Sequence, residues 1–177
     1  MYKEIGRGFP IGDGRPIIGD LTSGTVVAST SGTEVSFTGI PSWAKRITII
    51  FSGVSQSGAD DIVLELGDSG GYETSGYLGT RTTLTNAAAV AVLNTTGNFR
   101  LTTGTGTADT WSGIATLALI DAATFTWVLS SLIAKSNGVV SVNSGGDKST
   151  SAALNSIRFS MTGVDTFDAG KINIFYE

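Results

Sequence analysis

Apolar residues recur at every second position in several short segments of the chain. Alternate side chains of an extended strand point to opposite faces, so a period of two predicts strands with one buried face. Clusters of Gly, Ser, Thr and Asp separate these segments and predict turns between them. We expect eight to ten strands. The alternating sets are Ile47, Ile49 and Phe51; Ile62, Leu64 and Leu66; Phe125, Trp127 and Leu129; Ile157, Phe159 and Met161; and Ile172, Ile174 and Tyr176.

These strands predict an all-β fold, an antiparallel β-sandwich of the jelly-roll kind, in one domain over residues 25–177. Residues 47–51 and 114–120 have apolar side chains on both faces of the predicted strands. A strand that is apolar on both faces is expected where one face packs on the opposite sheet and the other meets another chain.

Three segments do not follow the alternation. Residues 84–93 combine helix-forming alanines with an N-cap candidate, which predicts either a short helix or an irregular crossing. Residues 102–109 and 143–151 are rich in Gly, Ser, Thr and Asp and predict exposed loops.

Residues 1–24 contain two of the three prolines and six of the 24 glycines, without a sustained period. This composition predicts an extended N-terminal arm. Its apolar side chains are costly to leave in water, so we expect the arm to attach to a partner. The candidate attachment residues are Ile5, Phe9, Ile11, Ile17 and Ile18.

Charge and composition exclude several classes of function. The formal charge is -4 with only 11 basic residues, which disfavours a nucleic-acid partner. The chain has neither cysteine nor histidine, which removes thiolate chemistry, most zinc sites and most acid–base triads. We therefore predict no cofactor and no metal site. There is no apolar run long enough to span a membrane and no signal-peptide pattern, so we expect a chain that is made in the cytosol and is not inserted into a membrane.

Two motifs resemble catalytic sites. Ser69 lies in Gly67-Asp68-Ser69-Gly70-Gly71, the string found around a serine-protease nucleophile, but no histidine is present to activate it. Asp60, Asp61, Glu65 and Asp68 form the one acidic cluster, and paired carboxylates can hydrolyse glycosidic bonds or hold Ca²⁺. The spacing fits no calcium loop, and aspartates are common in turns. We predict that the chain is not an enzyme.

Aromatic side chains are the remaining recognition candidates. Trp127 lies within an apolar alternation and is expected in the core. Tyr72 and Tyr77 lie in a Gly-rich segment and are the candidates for exposed contact with a ligand such as a glycan.

Four segments, residues 37–58, 64–79, 111–131 and 154–177, resemble a β-rich domain of bacteriophage tail fibres and other virion surface proteins. The most specific parts are the Ile-Pro-Ser-Trp turn at 40–43, the segment 67–79 and the end FDAGKINIFYE at 167–177. The resemblance implies a structural module of the virion surface that assembles as a homotrimer and carries no catalytic residues.

Two functional hypotheses follow from the resemblance. The first is a tail fibre or spike component that binds a glycan or protein receptor on the host. The alternative is a capsid decoration protein, or head fibre, attached to another virion protein through residues 1–24, because shaft repeats and coiled-coil heptads are missing. A polysaccharide depolymerase is a third hypothesis, for which no acidic pair can be located.

Overall fold

The computed structural model describes residues 21–86 and 90–177 of the chain, and none of these residues is helical. Ten of the 14 strands have five residues or more and four have two. The strands are β1 Thr22–Ser23, β2 Val27–Ala28, β3 Glu34–Thr38, β4 Arg46–Gln56, β5 Ile62–Asp68, β6 Gly71–Tyr72, β7 Leu78–Thr85, β8 Val90–Thr95, β9 Phe99–Arg100, β10 Thr110–Asp121, β11 Thr126–Lys135, β12 Val140–Ser149, β13 Ser156–Met161 and β14 Phe167–Tyr176.

The strands form two sheets, and every pairing is antiparallel. The larger sheet has the order β1-β14-β4-β10-β11-β12-β7-β8, with β2 also paired to β14. The smaller sheet has the order β3-β13-β5-β6, with β9 paired to β5. The two sheets pack on each other, so the predicted all-β sandwich is confirmed. The trimer stays a prediction.

The core lies between the inner faces of the sheets, where the alternating sets meet. The Phe159 ring of the smaller sheet contacts Phe51 of the larger sheet edge-on, with ring centroids 5.3 Å apart. Trp127 is buried, as expected from its alternation. Phe125 departs from the prediction, because it lies in the turn before β11 with a φ of +52° and is only half-buried.

Neither alternative for residues 84–93 is correct in the described part of the segment. Strands β7 and β8 pair there, from Gly79 opposite Thr95 to Leu84 opposite Val90. In the described residues of this segment, strand pairing overrides helix propensity, which is a weak preference.

Residues 102–109 form a loop, as predicted, although Thr102 and Asp109 at its two ends are buried. The loop predicted at 143–151 is wrong, because residues up to Ser149 belong to β12. The glycines there permit close approach instead of a turn. A Cβ atom on Gly146 would lie 2.2 Å from the Leu78 carbonyl oxygen on the neighbouring strand.

The candidate attachment residues Ile5, Phe9, Ile11, Ile17 and Ile18 lie outside the described residues. The described end of the predicted arm pairs with the larger sheet. Thr22 lies opposite Tyr176, and the Gly24 amide donates to the Ile174 carbonyl at 2.8 Å.

Candidate interaction surfaces

The carboxylates of the predicted acidic cluster do not converge on one site. Asp61 is buried and accepts from the Nη1 atoms of Arg81 at 2.5 Å and Arg100 at 2.7 Å. Its other oxygen accepts from the Gly104 amide at 2.9 Å. Asp61 therefore joins three segments that are distant in sequence, and both of its oxygens accept hydrogen bonds within the fold.

The other members of the cluster also accept hydrogen bonds within the fold. Glu65 accepts from Arg158 Nε at 2.8 Å, and Asp60 accepts from the Asp165 amide at 2.9 Å. The Ser151 hydroxyl and the Gly70 amide hold the pKa of Asp68 below its ordinary value. A general acid of a glycosidase needs a raised pKa, so Asp68 is shifted in the opposite direction.

Ser69 lies in the exposed turn between β5 and β6. A lysine can act as the base in place of histidine, but two lysines of this chain are engaged elsewhere: Lys148 pairs with Glu73, and Lys135 pairs with Asp109. Within the described ranges, no group of three or more His, Cys, Asp or Glu side chains is arranged to hold a metal ion.

The prediction that Tyr77 is exposed is wrong, because its side chain is 0% exposed. Its ring packs edge-on against Phe99 at 4.8 Å, and its hydroxyl accepts from the Leu66 amide at 2.8 Å and donates to the Glu73 carbonyl at 3.0 Å. Burial raises the pKa of the Tyr77 hydroxyl. The hydroxyl thus satisfies the buried amide of Leu66 in β5, which composition alone could not indicate.

Tyr72 remains half-buried at the outer face of the smaller sheet. The Arg158 guanidinium lies 4.3 Å from the centroid of its ring and also pairs with Glu65. Burial lowers the pKa of Arg158, but its hydrogen bonds to Glu65 and Glu34 and the charges of these two carboxylates together outweigh burial and raise the pKa. This face is polar and charged, with one aromatic ring at its border.

A cavity of about 270 Å³ opens near Pro41, Lys45, Leu119 and Trp127. The indole Nε1 of Trp127 is buried without a hydrogen-bond partner among the described residues. Lys45 is the one ionisable residue of the lining, so this cavity brings no set of reactive groups together.

The outside of the larger sheet is largely uncharged, unlike the outside of the smaller sheet. Strand register places the outward side chains of the larger sheet in three rows, which we call the outer face. The most exposed apolar side chains at its centre are Ile114 at 52% and Leu132 at 55%. The three rows are Asn173, Ile50, Ile114, Leu132, Asn143, Thr82 and Val92; Phe175, Thr48, Thr116, Ser130, Gly145, Thr80 and Asn94; and Arg46, Ala118, Val128, Asp147 and Leu78.

Charge is nearly missing from the outer face. Within the three rows, Arg46 and Asp147 are the charged members, and both lie in one marginal row. Lys171 lies one step beyond the rows at the other margin, opposite Ser52. The centre consists of Ile, Leu, Thr and Ser, a composition that loses little hydration energy when it is covered by another surface. The apolar residues on both faces of β4 and β10 predict contact there, but the contribution of β11 to this face depends on the register, for which the sequence has no local signal.

No protein-family model matches the chain, and no curated protein matches it significantly. Among the residues that the structure describes, no helix has the length and apolar character to cross a membrane.

Proposed function

We propose that this chain is a non-enzymatic structural protein of the bacteriophage virion surface, a component of a tail fibre or spike that binds a host receptor. The main support is the resemblance of residues 37–58, 64–79, 111–131 and 154–177 to domains of such proteins. The broad outer face adds physical support, because it offers an extended contact surface with little charge.

The position of the carboxylates is consistent with a role in contact instead of catalysis. Asp61, Glu65 and Asp68 all accept hydrogen bonds that connect strands and turns. For receptor contact we propose Tyr72, whose half-buried ring lies beside Arg158. An aromatic ring next to charged hydrogen-bonding groups suits a glycan, which stacks its apolar face and donates from its hydroxyls.

An adsorption assay tests receptor binding. Excess purified protein should slow adsorption of the phage to host cells, and Tyr72→Ala should reduce this competition. Tyr72→Phe is the matched control, since it keeps the ring. Binding to host cells that neither competes with the phage nor responds to Tyr72→Ala would contradict the role of this surface.

The second candidate is a capsid decoration protein attached through the arm. The apolar residues Ile5, Phe9, Ile11, Ile17 and Ile18, in a segment rich in Gly and Pro, favour it. Deletion of residues 1–20 leaves β1 in place and should abolish incorporation into particles while the melting curve is retained. Normal incorporation of the truncated chain would contradict attachment through this segment.

A further inference from the structure

We infer that the outer face binds a second copy of this chain, face to face, about a two-fold axis. The axis lies between the two copies, runs parallel to the strands and passes over the boundary between β10 and β11. The inference concerns assembly and does not depend on the proposed function.

The strand order places this axis at the middle of the sheet. The path β1-β14-β4-β10-β11-β12-β7-β8 has four strands on each side of the boundary between β10 and β11. A two-fold rotation about that line puts β10 over β11, β4 over β12 and β14 over β7 of the second copy. The outer face of each copy is then covered across the whole width of the sheet by the outer face of the other copy.

The central apolar residues fit this arrangement. Ile114 lies directly opposite Leu132 in the register of β10 and β11, so the rotation places Ile114 of each copy over Leu132 of the other. Both side chains are more than half exposed in the single chain. This contact buries both side chains at the axis. The two twisted sheets lie closest to each other there.

The neighbouring row is complementary in shape. Thr48 and Gly145 occupy equivalent positions on β4 and β12, three strands apart in one row. The rotation places the Thr48 side chain over Gly145, which has none. Gly145 is not required by its own strand, since a Cβ there would meet only the Leu129 carbonyl oxygen, at 3.5 Å.

The marginal row is complementary in charge. Arg46 aligns with Ala118, Val128 and Asp147 across β4, β10, β11 and β12. Three strand spacings separate the two charges by roughly 14 Å, too far for an ion pair within one chain. The rotation places Arg46 of each copy over Asp147 of the other. Arg46 already pairs with Glu177, yet its side chain stays 56% exposed and can accept this second partner.

The area is also sufficient. Two of the rows span the seven strands from β14 to β8, and the third spans the five strands from β4 to β7. With strands about 4.8 Å apart and rows about 6.8 Å apart, the projected area is roughly 600 Å². Specific interfaces bury about 600–1,000 Å² on each partner. A second copy thus covers the outer face with an area typical of a stable dimer.

Light scattering on the full chain over a concentration series tests the inference. We expect a mass of two chains. Leu132→Asp should raise the dissociation constant at least about 100-fold, because it buries an unpaired carboxylate on each copy. The control is Val164→Asp, the same kind of change at a side chain that is 93% exposed and lies outside the outer face. A monomer at high concentration, or a dimer that Leu132→Asp leaves intact, would overturn the inference.

A charge exchange tests the axis itself. Asp147→Arg alone should weaken the dimer, and addition of Arg46→Glu should restore it, because each new charge again meets its opposite on the other copy. No recovery in the double variant, with unchanged melting curves, would reject this axis.

The test separates this inference from the proposed function. A mass of three chains would agree with the number that the resemblance implies and would overturn the two-fold arrangement. A monomer or trimer present in phage particles refutes only the inference. A dimer that is missing from phage particles refutes only the proposed function.

Discussion

The substitution Tyr77→Phe tests whether Tyr77 belongs to the core. It keeps the ring contact with Phe99 and removes only the hydroxyl, which leaves the Leu66 amide buried without its acceptor. An unsatisfied buried donor costs about 1–3 kcal/mol. In a chain of this size each kcal/mol lowers the melting temperature by about 2–4 °C, so we expect a decrease of about 2–12 °C.

Thermal unfolding followed by circular dichroism measures this decrease. Tyr72→Phe is the matched control, because Tyr72 is half-buried and its hydroxyl forms no hydrogen bond with a described residue. Its melting temperature should stay within about 1–2 °C of the original, as for most surface substitutions. If Tyr77→Phe melts at the same temperature as the control, the hydrogen bond from the Leu66 amide to the Tyr77 hydroxyl does not stabilise the core, and its assignment is refuted.

Three further predictions concern stability. Gly146→Ala should cost at least about 2 kcal/mol, since φ is +154° and the new Cβ would meet the neighbouring backbone. Gly106→Ala, where a Cβ would lie in open space, should be tolerated; equal midpoints of denaturant unfolding would contradict this. Asp61→Asn should cost about 3–5 kcal/mol, because it weakens the pairing of Asp61 with Arg81 and Arg100. The exposed control Asp168→Asn should cost almost nothing, and similar midpoints of denaturant unfolding for the two variants would argue against the buried network. Burial alone would raise the pKa of Asp109, but its partners Lys135 and Thr105 lower it. The contribution of Asp109 to stability is therefore full above about pH 4 and is lost in stronger acid. Because the chain has no histidine, the melting temperature should be level from pH 5 to 8, and a slope there would refute this view.

The strands were the predictable part of the fold. Ile47, Ile49 and Phe51 face the core because alternation in a strand has a fixed period and hydrophobic burial follows it. The segment at 143–151 was missed because glycine serves both turns and close strand contacts. Only the position of β7, which brings Leu78 against Gly146, distinguishes the two uses.

The interaction surfaces were predictable only in part. Apolar residues on both faces of the segments 47–51 and 114–120 indicated contact on both faces of β4 and β10. The opposition of Ile114 and Leu132, and of Arg46 and Asp147 across the proposed axis, depends on register and strand order, for which a single sequence has no local signal. The Asp61 network likewise joins residues about 20 and 40 positions apart.

Immunogold electron microscopy of intact phage particles, with antibody raised against residues 25–177, tests the proposed virion role most directly. We predict label on the particle surface, at the tail end or on fibres. Label over the head would instead support capsid decoration. Particles that carry no label, while the protein is abundant in the infected cell, would contradict a structural role in the virion.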